Sequence, residues 1–233
     1  MPILNAKREC EIKYPITSIS EELNLIEKIQ KLGFVFKSSN LESDYVPDVN
    51  GFLCKGNGIM LRFRVLEGTD NDILLTLKFK GKEEGFQDNY EIETLFSDFD
   101  ENKFNKINEV LYNATHFKLP IEIVNLRKIS EIRRYLKNSS FLQHRMFTQK
   151  KRKEYILENK KITIDEFPGK IGKFLEIETD TPEELFKISQ SLELNSDKIE
   201  RRNYGEIIKE KQKDLPENKR RTCTFEEQND MDR

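Results

Sequence analysis

The sequence predicts an α+β fold in which a closed antiparallel β-barrel with a charged interior is covered on its outside by helices. Three observations lead to this prediction. Short segments of alternating residues are separated by turn residues, which is typical of antiparallel strands joined by short links. Other segments have apolar residues at helical spacing. Six of the strand segments carry charges at every second position, so that each has one charged face and one largely apolar face.

The first half of the chain has the pattern of a helix followed by a β-meander. Residues 7–14 alternate as a strand that ends at Pro15. The capping-box pair Ser18 and Glu21 begins a helix, and Gly33 ends it. Further strands are predicted at 34–37, 43–54, 59–66, 73–80 and 88–96.

The second half contains helices and three more strands. Helices are predicted over 98–111 and 125–137, and the segment between them has no clear pattern. Thr181 as N-cap and Pro182 at the first helical position begin a later helix, and residues 203–212 have the pattern of a last one. Strands are predicted at 146–157, 161–166 and 173–179.

Composition excludes several classes of protein. The 233 residues carry 40 Lys and Arg against 42 Asp and Glu, which argues against a general polyanion binder. No run of about 18 apolar residues is present, so no membrane partner is predicted. The N-terminus lacks the apolar stretch of a signal peptide, and we expect a cytoplasmic protein. We expect one domain over 1–213, followed by a disordered polar tail at 214–233. The three cysteines and two histidines form no zinc or catalytic pattern.

The informative feature is the sign of the charges that share a strand face. A single doublet, meaning two charges of one sign at positions i and i+2 of a strand, ordinarily marks a solvent-exposed face. Six strands repeat such a doublet, however, and like charges at adjacent same-face positions repel each other. A closed barrel with these faces turned inward lets opposite doublets compensate one another. The inward-facing candidates are Glu9, Glu11 and Lys13, Arg62 and Arg64, Lys78 and Lys80, Glu91 and Glu93, Lys150 and Arg152, Asp165, and Glu176 and Glu178.

An interior that is both acidic and basic suits a metal–polyphosphate complex. Mg²⁺ takes one or two carboxylates together with phosphate oxygens. Arg and Lys bind phosphate oxygens, and Arg does so through two parallel hydrogen bonds. A polyphosphate with about four negative charges and two divalent ions is close to neutral, so it can enter a lumen of mixed charge.

The order of these motifs resembles the CYTH family, also called triphosphate tunnel metalloenzymes, which includes class IV adenylyl cyclases, thiamine triphosphatases and inorganic triphosphatases. Residues 9–13 (ECEIK) match the ExExK signature, and RxR, KxK, ExE, KxR and GxFxExE motifs follow in that order. The RNYGEII segment at 202–208 is similar to the family's closing SYxEL segment. Two departures are a longer stretch at 97–148 and one extra residue before Glu176.

The resemblance implies an eight-stranded antiparallel barrel that forms a tunnel, and it implies roles for the charged residues. Mg²⁺ or Mn²⁺ would be held by Glu9, Glu11, Glu176 and Glu178. The triphosphate would be bound by Arg62, Arg64, Lys78, Lys80, Lys150 and Arg152. Lys13 would also bind the substrate, next to the reacting phosphate. The expected catalytic residues are therefore Lys13, Glu11 and Arg152, and the supporting residues are Glu91, Glu93 and Asp165.

Two reactions are compatible with such a site. Attack of water on the terminal phosphorus is hydrolysis, whereas attack of a ribose 3′-hydroxyl on the α-phosphorus of ATP gives cyclic AMP and pyrophosphate. We expect hydrolysis of a nucleoside, organic or inorganic triphosphate, with class IV-type cyclisation as the alternative. A non-catalytic polyphosphate or nucleotide sensor is the alternative of another class. Nucleic acid is not expected as a partner, although an RNA 5′-triphosphate stays an alternative substrate, and the sequence leaves a homodimer open.

Overall fold

The computed structural model describes residues 6–48, 58–67, 72–137, 143–216, 220 and 222–225. Within these ranges the strands are β1 (Lys7–Ile16), β2 (Val35–Asp48), β3 (Ile59–Glu67), β4 (Ile73–Lys80), β5 (Gln87–Leu95), β6 (Gln143–Leu157), β7 (Lys160–Phe167), β8 (Gly172–Thr179) and β9 (Thr222–Cys223). The α-helices are α1 (Ile19–Lys31), α2 (Glu101–Thr115), α3 (Ile129–Lys137), α4 (Pro182–Ser191) and α5 (Tyr204–Lys211). Short 3₁₀ helices lie at Ile121–Asn125 and Ser196–Lys198.

Eight strands close into a ring in the order β2-β3-β4-β5-β1-β8-β7-β6, and β6 pairs back with β2. Every neighbouring pair in the ring is antiparallel. The closing ladder between β2 and β6 runs from Val35 opposite Ile156 to Asp48 opposite Gln143. The predicted α+β fold with a closed eight-stranded antiparallel barrel is therefore confirmed.

Each strand divides its side chains between an apolar outer face and a charged inner face. On β1, Cys10 and Ile12 pack into a buried cluster with residues of α1 and α4, whereas Lys13 lies on the opposite face. On β3, Phe63 packs into a second cluster that α2 and α3 cover, whereas Arg64 points the other way. The apolar core consequently lies between barrel and helices, and the charges line the lumen.

β2 is one continuous strand where the sequence predicted two. The strand predicted at 34–37 and residues 43–48 of the strand predicted at 43–54 are joined by residues 38–42, whose SSNLE sequence has no apolar alternation, and residues 49–54 of that prediction lie outside the described residues. These residues form a strand because they pair with β6 over Lys150–Glu154, next to a register shift between Phe36 and Ser38. The tertiary ladder, rather than local preference, determines the structure here.

The helix starts follow their capping residues. The Ser18 hydroxyl accepts a hydrogen bond from the backbone N–H of Glu21 and begins α1 as predicted. α2 begins later than residue 98 because the Asp100 side chain caps it. α3 begins at Ile129 rather than at 125 because Ile121–Asn125 forms a separate 3₁₀ helix.

Apolar side chains around α5 fill one end of the barrel. Phe167 and Phe174 lie on the inner faces of β7 and β8, and they form a buried cluster with Ile207 and Ile208 of α5. The ring of Tyr204, the first residue of α5, lies 4.6 Å from that of Phe167 and 5.7 Å from that of Phe174, measured between centroids. In the part of the chain that the structure describes, α5 therefore closes this end of the lumen.

The described residues after α5 include a short strand, β9. β9 pairs in parallel with Phe147 and Thr148 of β6, and Cys223 is buried in the same apolar cluster as the α5 side chains. The Gln212 side chain donates a hydrogen bond to the carbonyl of Thr222. The division into one domain over 1–213 and a disordered tail at 214–233 stays a prediction, and part of that tail lies outside the described residues. Of the helices within the described ranges, none is both long and apolar enough to cross a membrane.

Candidate functional site

The lumen brings together most of the charged residues that the doublets predicted. Arg62, Lys78 and Glu91 are partly buried, and Glu93 is more exposed. Lys80 is exposed at the end of β4, apart from the buried charges. The buried members are Glu9, Glu11, Lys13, Arg64, Lys150, Arg152, Asp165, Glu176 and Glu178.

Lys13 lies at the closed end of the lumen and is 2% exposed. Its ammonium group forms ion pairs with Glu11 and with Glu176, the latter at 3.3 Å. It also lies 4.9 Å from the centre of the Tyr204 ring, which separates it from the apolar cluster behind. Burial lowers the pKa of Lys13, although the charge of Glu176 opposes this effect.

Lys78 joins the acidic residues of β1 and β5. Its Nζ lies 2.8 Å from Glu9, 3.0 Å from Glu11 and 2.9 Å from Glu91. Burial alone would lower the pKa of Lys78, but the carboxylates of Glu91 and Glu9 raise it above its usual range. The ammonium group is thus charged and holds three carboxylates together.

Asp165 holds two of the predicted phosphate-binding residues. The Nε and Nη2 atoms of Arg152 each donate a hydrogen bond of 2.6 Å to its carboxylate, and Lys150 donates one of 3.0 Å. Arg152 Nη2 also lies 3.2 Å from Glu176. The two parallel hydrogen bonds fix the plane of the Arg152 guanidinium within the lumen.

Glu42 and Asp44 of β2 are lumen residues that the sequence prediction missed. Asp44 accepts hydrogen bonds of 2.7 and 2.9 Å from Nε and Nη2 of Arg64, and Glu42 lies 3.2 Å from Nη1 of the same residue. Both are same-face positions in ESDYV, so the doublet rule applies to them. Glu42 was overlooked because it lies just before the strand predicted at 43–54, whereas Asp44 lies inside that predicted strand and its place in a same-face pair was not recognised.

Arg62 lies 3.7 Å from Glu93, which lines a cavity between β4, β5 and the start of α2. Its Nη2 donates a hydrogen bond of 3.2 Å to Thr76, which in turn donates one of 2.8 Å to Glu93. A cavity of about 630 Å³ opens beside Glu93, with Phe99 among its lining residues. A group larger than a phosphate can therefore be accommodated near Arg62.

Lys161 is a further lumen residue that the sequence prediction missed. It forms an ion pair with Glu178, its cross-strand neighbour, and both line a cavity of about 210 Å³ together with Glu9. Burial raises the pKa of Glu178 well above its usual range, and the charge of Glu9 adds to this effect. The sequence KITID at 161–165 contained a signal for this position, because Lys161 and Asp165 lie at alternate positions that share one strand face.

The lumen carboxylates have the chemistry of a divalent-cation site. The Oε2 atoms of Glu176 and Glu178 are buried and face the ammonium groups of Lys13 and Lys161, but neither atom accepts a hydrogen bond of good geometry from the described residues. No three acidic, His or Cys side chains in those residues form a preassembled metal cage. Lys13 and Lys78 lie among the carboxylates instead. Because Mg²⁺ needs only one or two carboxylates beside phosphate oxygens, the set fits an ion that binds together with a polyphosphate.

Comparison with known proteins agrees with the motif order. Residues 7–204 match the profile of the CYTH domain. Solved structures with a similar fold include the PH1012 protein from Pyrococcus horikoshii OT3, which is 20% identical in sequence. Its superposition has a TM-score of 0.60 and covers 85% of this chain and 98% of the PH1012 chain. A "putative adenylate cyclase" from Vibrio parahaemolyticus is 20% identical with a TM-score of 0.58, over 88% of this chain and 99% of its own.

A third structure of this fold is a "putative adenylyl cyclase" from Hippeastrum that is described as having a dominant triphosphatase activity. It is 16% identical with a TM-score of 0.52, over 84% of this chain and 91% of its own. No curated protein matches the sequence. At these identities the structural likeness shows a shared fold.

Proposed function

Because the chain belongs to the CYTH family, we propose that it is an enzyme that hydrolyses the terminal phosphate of a triphosphate substrate in the barrel lumen, with the help of Mg²⁺ or Mn²⁺. The family and the fold support triphosphate chemistry in general. The choice of hydrolysis rests on one observation, which is the position of Lys13 at the closed end of the lumen.

The closed end determines which part of a substrate reaches Lys13. Tyr204 and the apolar cluster of α5 lie behind this lysine, so only the leading end of an inserted molecule can come next to it. For a triphosphate with an organic group, the leading end is the terminal phosphate, and the organic group stays toward the open end. Water is then the nucleophile that is small enough to accompany the terminal phosphate.

The cations of the lumen would bind the phosphate chain. Asp44 and Asp165 hold the guanidinium groups of Arg64 and Arg152 in fixed planes, so that little reorganisation is needed when phosphate oxygens arrive. Lys13 would neutralise charge on the terminal phosphate.

The acidic residues would hold the metal. Glu9, Glu11, Glu176 and Glu178 supply carboxylates on two adjacent strands, β1 and β8, with Glu11 opposite Glu178 in the ladder. When bound, such an ion neutralises phosphate charge and makes bound water easier to ionise. The chain's own lysines keep these carboxylates charge-compensated before the metal and the substrate bind.

Cyclisation of ATP is the second candidate. The cavity of about 630 Å³ beside Glu93, with Phe99 in its wall, is large enough for part of a nucleoside. A ribose held there could reach an α-phosphate near Arg62. Because inorganic tripolyphosphate has no ribose, it can be hydrolysed but not cyclised, and this difference separates the two reactions.

The test is product identification with purified protein, Mg²⁺ or Mn²⁺, and tripolyphosphate, ATP or thiamine triphosphate. We expect orthophosphate from at least one substrate, without cyclic AMP. Cyclic AMP with pyrophosphate would establish cyclisation, and binding without turnover under either metal would establish a sensor.

A pair of variants ties the activity to the lumen. Glu11→Gln removes a buried carboxylate next to Lys13 and Lys78, and we expect it to lower turnover by more than about 100-fold. Glu22→Gln is the matched control, since Glu22 is also buried and pairs with Lys153 and Lys173 outside the lumen. Full activity of a folded Glu11→Gln variant would refute the site.

A further inference from the structure

Glu42 occupies an unusual position among the lumen carboxylates. It is 5% exposed and lies between three cations, at 3.2 Å from Arg64, 3.4 Å from Lys150 and 3.7 Å from Arg152. Its Oε2 atom makes all three of these approaches, yet it accepts no hydrogen bond of good geometry within the described residues. All three cations belong to the predicted phosphate-binding set.

The neighbouring carboxylates are held differently. Asp44 accepts two hydrogen bonds from Arg64 at 2.7 and 2.9 Å, and Asp165 accepts two from Arg152 at 2.6 Å. These short, paired contacts fix the orientation of each guanidinium group. Glu42 instead lies at longer distances from several cations at once, so it balances charge and orients none of them.

We propose that Glu42 marks a phosphate subsite, where its carboxylate stands in for a phosphate group in the substrate-free lumen and competes with the substrate for Arg64, Lys150 and Arg152. This inference rests on the proposed triphosphate function and adds to it a residue that weakens substrate binding. A phosphate group entering this subsite replaces the Glu42 carboxylate as the partner of the three cations, and Asp44 and Asp165 keep the two arginines in place during the exchange.

Glu42 and Asp44 lie only two positions apart on β2, and substrate binding should respond in opposite ways when each loses its charge. Glu42→Gln and Asp44→Asn each remove one negative charge beside Arg64. If general electrostatics alone determined affinity, both variants would bind a polyphosphate more tightly. If Glu42 is a competitor and Asp44 a positioning residue, only Glu42→Gln binds more tightly, whereas Asp44→Asn loses the orientation of the guanidinium and binds more weakly.

The experiment measures binding of inorganic tripolyphosphate to the full chain by isothermal titration calorimetry, without divalent metal and at constant ionic strength. Wild type, Glu42→Gln and Asp44→Asn are compared at a temperature at which each is folded. Because Glu42→Gln removes a competing charge at these distances, this variant should bind tripolyphosphate about tenfold more tightly than wild type. Binding by Glu42→Gln that is equal to or weaker than that of wild type overturns the inference, and so does tighter binding by folded Asp44→Asn.

A second variant covers the case in which Glu42→Gln does not fold. Glu42→Asp keeps the charge but withdraws the carboxylate by one methylene from the three cations, so it should bind tripolyphosphate several-fold more tightly than wild type. Equal or weaker binding by this variant overturns the inference as well.

The outcomes also distinguish the inference from the function on which it rests. Turnover by wild type without tighter binding by the Glu42 variants refutes the role of Glu42 alone. Absence of binding by wild type and by every variant, with or without Mg²⁺, refutes the proposed function and the phosphate subsite with it.

Discussion

Replacing Glu42 by Gln should lower the stability of the substrate-free protein, and the structure sets the size of the effect. Burial opposes ionisation, but Arg64, Arg152 and Lys150 lower the pKa of Glu42 from its ordinary value of 4.5 to about 2. This difference of about 2.5 pH units corresponds to about 3 kcal/mol of unfolding free energy, which a neutral amide cannot supply.

Thermal and urea denaturation at pH 7 measure the loss directly. For a protein of this size, about 3 kcal/mol corresponds to a Tm that is lower by roughly 6–12 °C. A carboxylate with a lowered pKa stabilises the folded state above its unfolded pKa, and this contribution is lost as the pH falls through its folded pKa. The difference in stability between wild type and Glu42→Gln should therefore narrow as the pH falls from about 5 toward about 2.

One result would refute this reasoning. Asp44 lies near Glu42 and repels it, so a Glu42→Gln variant as stable as wild type at pH 7 would show that this repulsion outweighs the three ion pairs. Glu22→Gln again serves as the control, because it also removes a buried, doubly paired carboxylate. It should lose stability without binding tripolyphosphate more tightly.

Two further predictions concern other lumen residues. Burial and the charge of Glu9 raise the pKa of Glu178. The unfolding free energy of wild type should therefore fall as the pH rises through that pKa. Urea denaturation from about pH 5 to about pH 9 measures this fall, which should be absent from Glu178→Gln. Arg64→Lys keeps the charge but loses the paired hydrogen bonds to Asp44, and calorimetry should show tripolyphosphate binding about tenfold more weakly. Unchanged affinity would mean that the charge alone binds the phosphate.

The charged half of the site could be predicted because its signal is local. Two like charges at positions i and i+2, such as Arg62 and Arg64, share a strand face whatever the rest of the chain does. Repetition on six strands then favours an enclosed lumen over six solvent faces, and the ring of eight strands confirms the enclosure. The prediction needed no knowledge of which strands are neighbours.

The parts that could not be predicted depend on contacts between distant segments. Glu42 faces the lumen because residues 38–42 pair with β6, more than 100 residues later in the sequence, and nothing in SSNLE favours a strand. The pattern of residues 203–212 predicts an amphipathic helix, but it does not tell whether the apolar face covers the outside of the barrel or fills one end. The apolar face fills one end because the side chains of Phe167 and Phe174 point inward near the ends of β7 and β8 and pack against it.

The pairing of charges in the lumen has a consequence for how a substrate binds. A lumen lined by unpaired cations would bind phosphate tightly, but those buried charges would repel one another and destabilise the fold. In this protein, Arg64, Lys78 and Arg152 are each already paired with carboxylates. Binding of a triphosphate is therefore an exchange of partners, and its free energy is the difference between two sets of ion pairs. The acidic residues consequently limit affinity as well as offering ligands to a metal, which is why charge removed at Glu42 should stabilise the complex while it destabilises the empty barrel.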